Sequence, residues 1–203
     1  MASPRVLAVL VVTDGEPWLA HVLRGLESQT YPALDVVAVD NGSTDRSREL
    51  LLSRLSEDRV LVAERDIGFG GAVAMAADAV PGADYLLFVH DDMVLIPDAV
   101  EHLVDALLAD PRLGVVGPKL LDWDHPNRLQ SVGWSVDLTG RSDSGLEPDE
   151  RDQGQRDARR RPLVVSTAGM LVRRDVFDTV GRFDRRYHAF RDGSPRSLSL
   201  IHI

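Results

Sequence analysis

Three consecutive residues with usable chemistry, His90-Asp91-Asp92, follow the apolar run 85–89 directly. A run of that composition is a buried strand, so two carboxylates and an imidazole are delivered to its end and must be neutralised there. Magnesium and manganese take oxygen ligands, commonly one or two carboxylates with phosphate oxygens and water completing the shell. Asp91-Asp92 thus fits a site where a divalent cation, Mg or Mn, joins the protein to a diphosphate. A solvated acidic turn closing a strand gives the same local pattern. Three further places qualify: Asp14 after the run 6–12, the stretch Asp40-Asn41-Gly42-Ser43-Thr44, and the loop Gly68-Phe69-Gly70-Gly71. The second offers small side chains and backbone N–H groups to a ribose or base, and reads equally as an Asx turn with a Ser or Thr helix cap. The third lets backbone approach phosphate, but it lacks the last glycine of G-x-G-x-x-G and follows the third strand, so it fails as a dinucleotide fingerprint.

The elements that must position these residues are legible as apolar patterns. Residues 6–12 form a continuous β-branched run, as for a strand covered on both faces, and Leu19, Val22, Leu23 and Leu26 recur at helical spacing behind Pro17. A second strand over 34–39 precedes a turn and cap at 40–44 and a helix burying Leu50, Leu51 and Leu55. A third strand at 60–62, the glycine loop and an Ala-rich helix follow, then a fourth strand at 85–89 and a helix opened by Pro97. Repeated βα units imply an α/β fold with a mostly parallel, Rossmann-like sheet and helices on both faces. Such sheets bind ligands at the carboxyl ends of their strands, where Asp14, Asp40, the glycine loop and Asp91-Asp92 all fall. Beyond residue 116 the alternation weakens: 129–138 reads as an edge strand or hairpin, 139–161 as a polar mobile excursion, and 175–180 as a short helix ended by Gly181.

Composition narrows the partners. In 203 residues, 44% are hydrophobic and 27% charged, as in soluble single domains. A net charge of -9 disfavours nucleic acid, whose phosphates need clustered Lys and Arg. The absence of Cys excludes disulfides and thiolate chemistry and suits the cytoplasm or the inner face of its membrane. No apolar stretch reaches the roughly 20 residues of a membrane span.

Taken in order, Val11-Val12-Thr13, Val39-Asp40-Asn41-Gly42-Ser43-Thr44-Asp45, Ile67-Gly68-Phe69-Gly70-Gly71 and Phe88-Val89-His90-Asp91-Asp92 resemble the family-two glycosyltransferases. The likeness continues through Val116-Gly117-Pro118-Lys119, Ser166-Thr167-Ala168-Gly169-Met170 and Val180-Gly181-Arg182-Phe183-Asp184. It implies a GT-A fold, an inverting glycosyl transfer from a nucleoside-diphosphate sugar to a glycan or lipid-linked acceptor, and a divalent cation. By this likeness Thr13, Asp14, Asp40, Asn41, Gly68, Gly70 and Asp91 face the nucleotide. Asp92 is the last acid of a D-x-D metal motif, Asp91 its middle position, and His90 stands where the first acid would be. Thr167, Ala168 and Gly169 fall on the acceptor side. The domain spans 1–192, with a nucleotide-binding half over about 5–117 and an acceptor-side half over 118–192.

The resemblance also places a catalytic base in an acidic pair before a further helix. Asp192 matches its first acid and Gly193 its second. Residues 198–203 read as the translation of a transposon mosaic-end adapter, so 193–203 is expected to be a non-native tail with the base lost after Asp192. Two rival readings are a sugar-1-phosphate nucleotidyltransferase, which should carry a Gly- and Arg-rich loop after the first strand where this chain has Thr13-Asp14-Gly15-Glu16, and a non-catalytic nucleotide-sugar-binding fragment.

Overall fold

The computed structural model describes residues 3–136, 138–139, 141–157 and 162–184, with the backbone of the short strand Ser197–Leu198. The first half alternates strand and helix: β1 Val6–Val12, α1 Glu16–Glu27, β2 Leu34–Asn41, α2 Ser47–Leu52, β3 Val60–Ala63, α3 Gly68–Ala79, β4 Tyr85–His90 and α4 Ala99–Ala109. Then come β5 Val115–Val116, β6 Leu120–Asp122, β7 Leu129–Ser131, β8 Ser135–Val136, β9 Ser142–Asp143, β10 Leu171–Arg173 and α5 Arg174–Thr179. Six strands form one sheet in the order β3-β2-β1-β4-β10-β5. β1 to β4 are mutually parallel, whereas β10 runs antiparallel between β4 and β5.

β1 is buried along its whole length, so both faces of the sheet are covered as its unbroken apolar run requires. Val6, Ala8, Leu10 and Val12 face α1 and α4, while Leu7, Val9 and Val11 face α3 and α5. The apolar positions of α1 read from the sequence, Leu19, Val22, Leu23 and Leu26, are all buried.

Three expectations need correction. Gly68-Phe69-Gly70-Gly71 is the first turn of α3 and not a loop. Its leading amides find acceptors before the helix starts: Asn41 Oδ1 takes Ile67 N–H and Asp66 Oδ1 takes Gly68 N–H, after which the Ala-rich stretch propagates. Ser43 and Thr44 do not cap α2, which begins at Ser47 and receives its amide hydrogen bond at Asp45 Oδ1. Pro97 precedes α4 by a turn, the helix opening at Ala99.

The polar excursion also departs from expectation: its described part, 141–157, is tied down. Leu129 N–H donates to Glu150 O and Asp152 N–H to Asn127 O, each at 2.8 Å. Lys119, its side chain 3% exposed, reaches Asp152 at 2.7 Å and Asp157 at 2.5 Å. The segment lacks apolar periodicity because ions and backbone bonds, not a hydrophobic face, hold it. Arg156 grips Glu150 through two nitrogens, and with the Glu147 amide and Gln155 it holds the Glu150 carboxyl down to about 2, against an ordinary 4.5. Because the folded value is the lower one, this contribution is complete above pH 4.5 and is lost as pH falls toward 2. An NMR titration followed at the Glu147 amide, which donates to Glu150 Oε2, is expected to turn over near pH 2. An inflection at 4.5 would show that Arg156 does not hold the Glu150 carboxyl down.

Candidate functional site at the carboxyl end of the sheet

The pairing of β1 with β4, Val11 opposite His90, sets the next residues of both strands side by side. Asp91 turns back on β1: its Oδ2 accepts Thr13 N–H at 2.7 Å, and a Cβ placed on Gly15 would stand 2.8 Å from its own Cβ. Gly15 is therefore required by the close approach of the Asp91 side chain. Asp92 differs. It is half-buried, and among the described residues its carboxylate accepts no hydrogen bond; its electrostatic partner is His90.

The loops after β1 and β2 are laced together by reciprocal bonds. Asp14, at φ +52, donates its N–H to Ser43 Oγ and accepts Thr44 N–H and Oγ1–H on Oδ1. Gly15 N–H reaches Ser47 Oγ, Glu16 N–H reaches Asp45 Oδ2, and Arg46 closes on Glu16. Asn41 is buried with both amide atoms engaged: Nδ2 donates to Asp66 at 2.7 Å and to Thr13 Oγ1 at 3.3 Å, and Oδ1 accepts Ile67 N–H. Asp40, 3% exposed, uses Oδ1 to accept Ser43 N–H. Two residues read from the sequence as nucleotide contacts, Asp14 and Asn41, bind neighbouring loops. Asp45, Ser47 and Asp66 were not singled out, although Asp66 two residues before Gly68 carries the Asx-turn spacing that marks such a role.

On the other side of β4 the chain returns in β10. Phe88 exchanges backbone bonds with the incoming loop, its N–H to Met170 O and its O from Gly169 N–H, both at 2.9 Å. Gly169 takes φ +78 here, which bends the loop over the strand end, and Ala168 is buried beneath it. Beyond this pair of bonds His90 Nε2 lies 3.0 Å from Thr167 Oγ1. The imidazole packs on Phe69, ring centroids 4.8 Å apart, and Phe69 in turn meets Phe88 and Phe183. Desolvation lowers the His90 pKa, with the Asp92 carboxylate opposing, so the ring is neutral at pH 7. Gly70 sits against Phe183, where a Cβ would come within 2.6 Å of the Phe183 Cβ, so its bareness serves this aromatic contact.

Among the described residues no three His, Asp or Glu side chains converge as a protein-only metal cage. The donor set nevertheless suits a cation shared with a ligand: an Asp92 carboxylate unengaged by hydrogen bonds, with Asp91 beside it, is what magnesium or manganese takes when phosphates supply the other oxygens. Asp192 lies outside the described residues.

Residues 8–181 match Glycosyl transferase family 2. The N-acetylglucosaminyl-diphospho-decaprenol L-rhamnosyltransferase of Mycobacterium tuberculosis H37Rv is 30% identical over 92% of the chain, which spans 67% of that relative. The O-antigen biosynthesis protein RfbC of Myxococcus xanthus is 29% identical over 98% of the chain, which spans 16% of it. Among solved structures, the Pyrobaculum calidifontis mannosyltransferase in complex with GDP-Man and Mn2+ superposes with a TM-score of 0.65 at 16% identity, covering 100% of this chain and 58% of that one. Staphylococcus aureus TarS 1-349 in complex with UDP gives 0.61 at 15% identity, covering 97% of this chain and 60% of its own. The sheet order and these likenesses give a GT-A fold, and the chain belongs to glycosyl transferase family 2.

Proposed function

We propose that this chain binds a nucleoside-diphosphate sugar and serves its transfer, with inversion, to a glycan or lipid-linked acceptor in cell-envelope polysaccharide synthesis. The observation that carries the reading is the meeting of Asp40, the Thr13–Asp14 turn and Asp91–Asp92 at one end of the parallel sheet, with the Asp92 carboxylate accepting no hydrogen bond among the described residues. Asp40 and the amides of the β2–α2 loop would receive the nucleoside. Asp92, with Asp91, would hold a divalent cation, Mg or Mn, which when bound neutralises charge on the departing diphosphate. The acceptor hydroxyl would enter from the side of Thr167, Ala168 and Gly169, where the loop bends over the strand end. Inversion also needs a base to take the hydroxyl proton. Asp192 is the acid the resemblance supplies near that role, and Gly193 follows it where a second acid would stand, which favours binding without turnover as a second reading.

A nucleotidyltransferase is disfavoured by the β1–α1 loop, which carries Asp14 and Glu16 bonded to the neighbouring loop where that chemistry would use arginine. Among the described residues no helix is long and apolar enough to cross a membrane.

The test is thermal denaturation of the purified chain with UDP, GDP or dTDP, each with and without Mn2+. One nucleotide should raise Tm by several degrees only when the metal is present, since a ligand stabilises by binding the folded state alone. If no nucleotide shifts Tm, or if the shift is indifferent to metal, the assignment fails.

A further inference from the structure

We propose that His90 is a positioning residue and not a metal ligand: through Thr167 it fixes the acidic turn to the loop on the acceptor side. The inference rests on the nucleotide-site reading above and adds a role for the residue that departs from it. Its position in the sequence, one before Asp91-Asp92, invites a ligand role, but the side chain is turned elsewhere. Nε2 meets Thr167 Oγ1 at 3.0 Å, and one face of the ring is covered by Phe69. Phe69 is itself held between Phe88 and Phe183, so the imidazole has a fixed wall behind it.

The contact is also the last in a series. β10 pairs with β4 at Leu171 and Leu87, the loop then exchanges backbone bonds with Phe88, and the His90–Thr167 contact extends the connection to the end of the strand. Past Phe88 no backbone bond joins the described loop to β4, and the His90–Thr167 contact continues the hydrogen-bonded connection to the residue preceding Asp91. A turn held this way presents Asp92 in one orientation. Without the contact, the strand end and the loop can move apart, and the loop bearing Thr167 no longer reports the position of the acids.

Four variants of the purified chain decide it, each read for apparent affinity of the preferred nucleotide in saturating Mn2+ and of Mn2+ in saturating nucleotide. His90→Phe keeps the ring against Phe69 and removes the nitrogen; Thr167→Val keeps the shape and removes the hydroxyl; the third combines them. Each single change is expected to weaken nucleotide affinity about fivefold, the worth of one neutral hydrogen bond. The pair should be no weaker than either alone, because both remove the same interaction. His90→Gln returns a donor at similar reach and should recover to within about twofold of wild type. A direct ligand gives another pattern: His90→Gln and His90→Phe lose Mn2+ affinity while Thr167→Val loses nothing, which overturns the proposal. Tm losses with unchanged affinities would make the contact merely structural and overturn it equally. A wild-type chain that binds no nucleotide overturns the function as well, so the two failures are told apart.

Discussion

Replacing Asp152 and Asp157 together by asparagine is expected to cost about 3 kcal/mol, the low end of what breaking a buried ion pair costs, or about 6–12 °C in Tm for a chain of this size. The reason is an asymmetry of exposure. Lys119 is 3% exposed, whereas Asp152 is 17% and Asp157 36% exposed. Removing the carboxylates strands an ammonium where water cannot reach it. Removing the cation by Lys119→Met leaves two carboxylates that already touch solvent, so this variant should lose less than half as much. The low end of the range applies because Asp157 is partly screened. The damage should be local, since the same ion cluster anchors 141–157: limited trypsin digestion is expected to cut the double variant at Arg151 and Arg156 well before wild type. Equal Tm and equal protease resistance would show that the backbone bonds of Glu150 and Asp152 suffice.

The largest effect on binding is expected at Asp92, and the contrast with Asp91 makes it diagnostic. Asp92→Asn should weaken Mn2+-dependent nucleotide binding by at least about 100-fold, beyond the 10–100-fold typical of outer-shell changes, while leaving Tm of the free chain unaltered. Among the described residues its carboxylate accepts no hydrogen bond, so the change should be felt chiefly by the ligand. Asp91 carries the opposite burden. Asp91→Ala leaves the Thr13 amide without its acceptor and should destabilise by about 1–3 kcal/mol. Asp91→Asn keeps an oxygen for that amide and should restore most of the loss. Titration calorimetry with nucleotide and Mn2+, paired with thermal denaturation, separates the two residues. If Asp92→Asn bound as wild type while Asp91→Asn did not, the ligand assignment would have to be exchanged.

The parallel half of the fold was legible because its strands are apolar on both faces and its helices repeat at 3.6 residues. Val6–Val12 and Leu103 with Leu107 need no partner to be recognised. Legibility failed where local bonds outweighed propensity. Gly68 to Gly71 carries three poor helix formers, yet side chains of Asn41 and Asp66 from outside the segment supply its first acceptors, and only Asp66 is marked by a local pattern, its Asx-turn spacing. Ser43 and Thr44 look like caps, but their hydroxyls serve Asp14 across a gap of about thirty residues. The excursion after residue 139 lacks a hydrophobic face and so reads as mobile, because a sequence does not reveal that Lys119 will be buried against it. The acids themselves were found at the right strand ends. Their division of labour was not, since it depends on which way each carboxylate turns.

The antiparallel strand β10 carries one further consequence. Leu171 lies opposite Val116, so the chain leaves the sheet at β5 and rejoins it on the adjacent strand, with the two points in direct register. Everything between is, topologically, one large hairpin insertion whose stalk is two residue pairs, braced by the bonds of Gly169 and Met170 to Phe88. Lengthening or exchanging that insertion need not disturb the registry of β1 to β4, because loop closure grows only slowly more costly with length. The fold is thereby modular: a fixed platform of β1 to β4 that keeps the 167–170 loop bonded to Phe88 and His90, and an exchangeable cassette ahead of that loop.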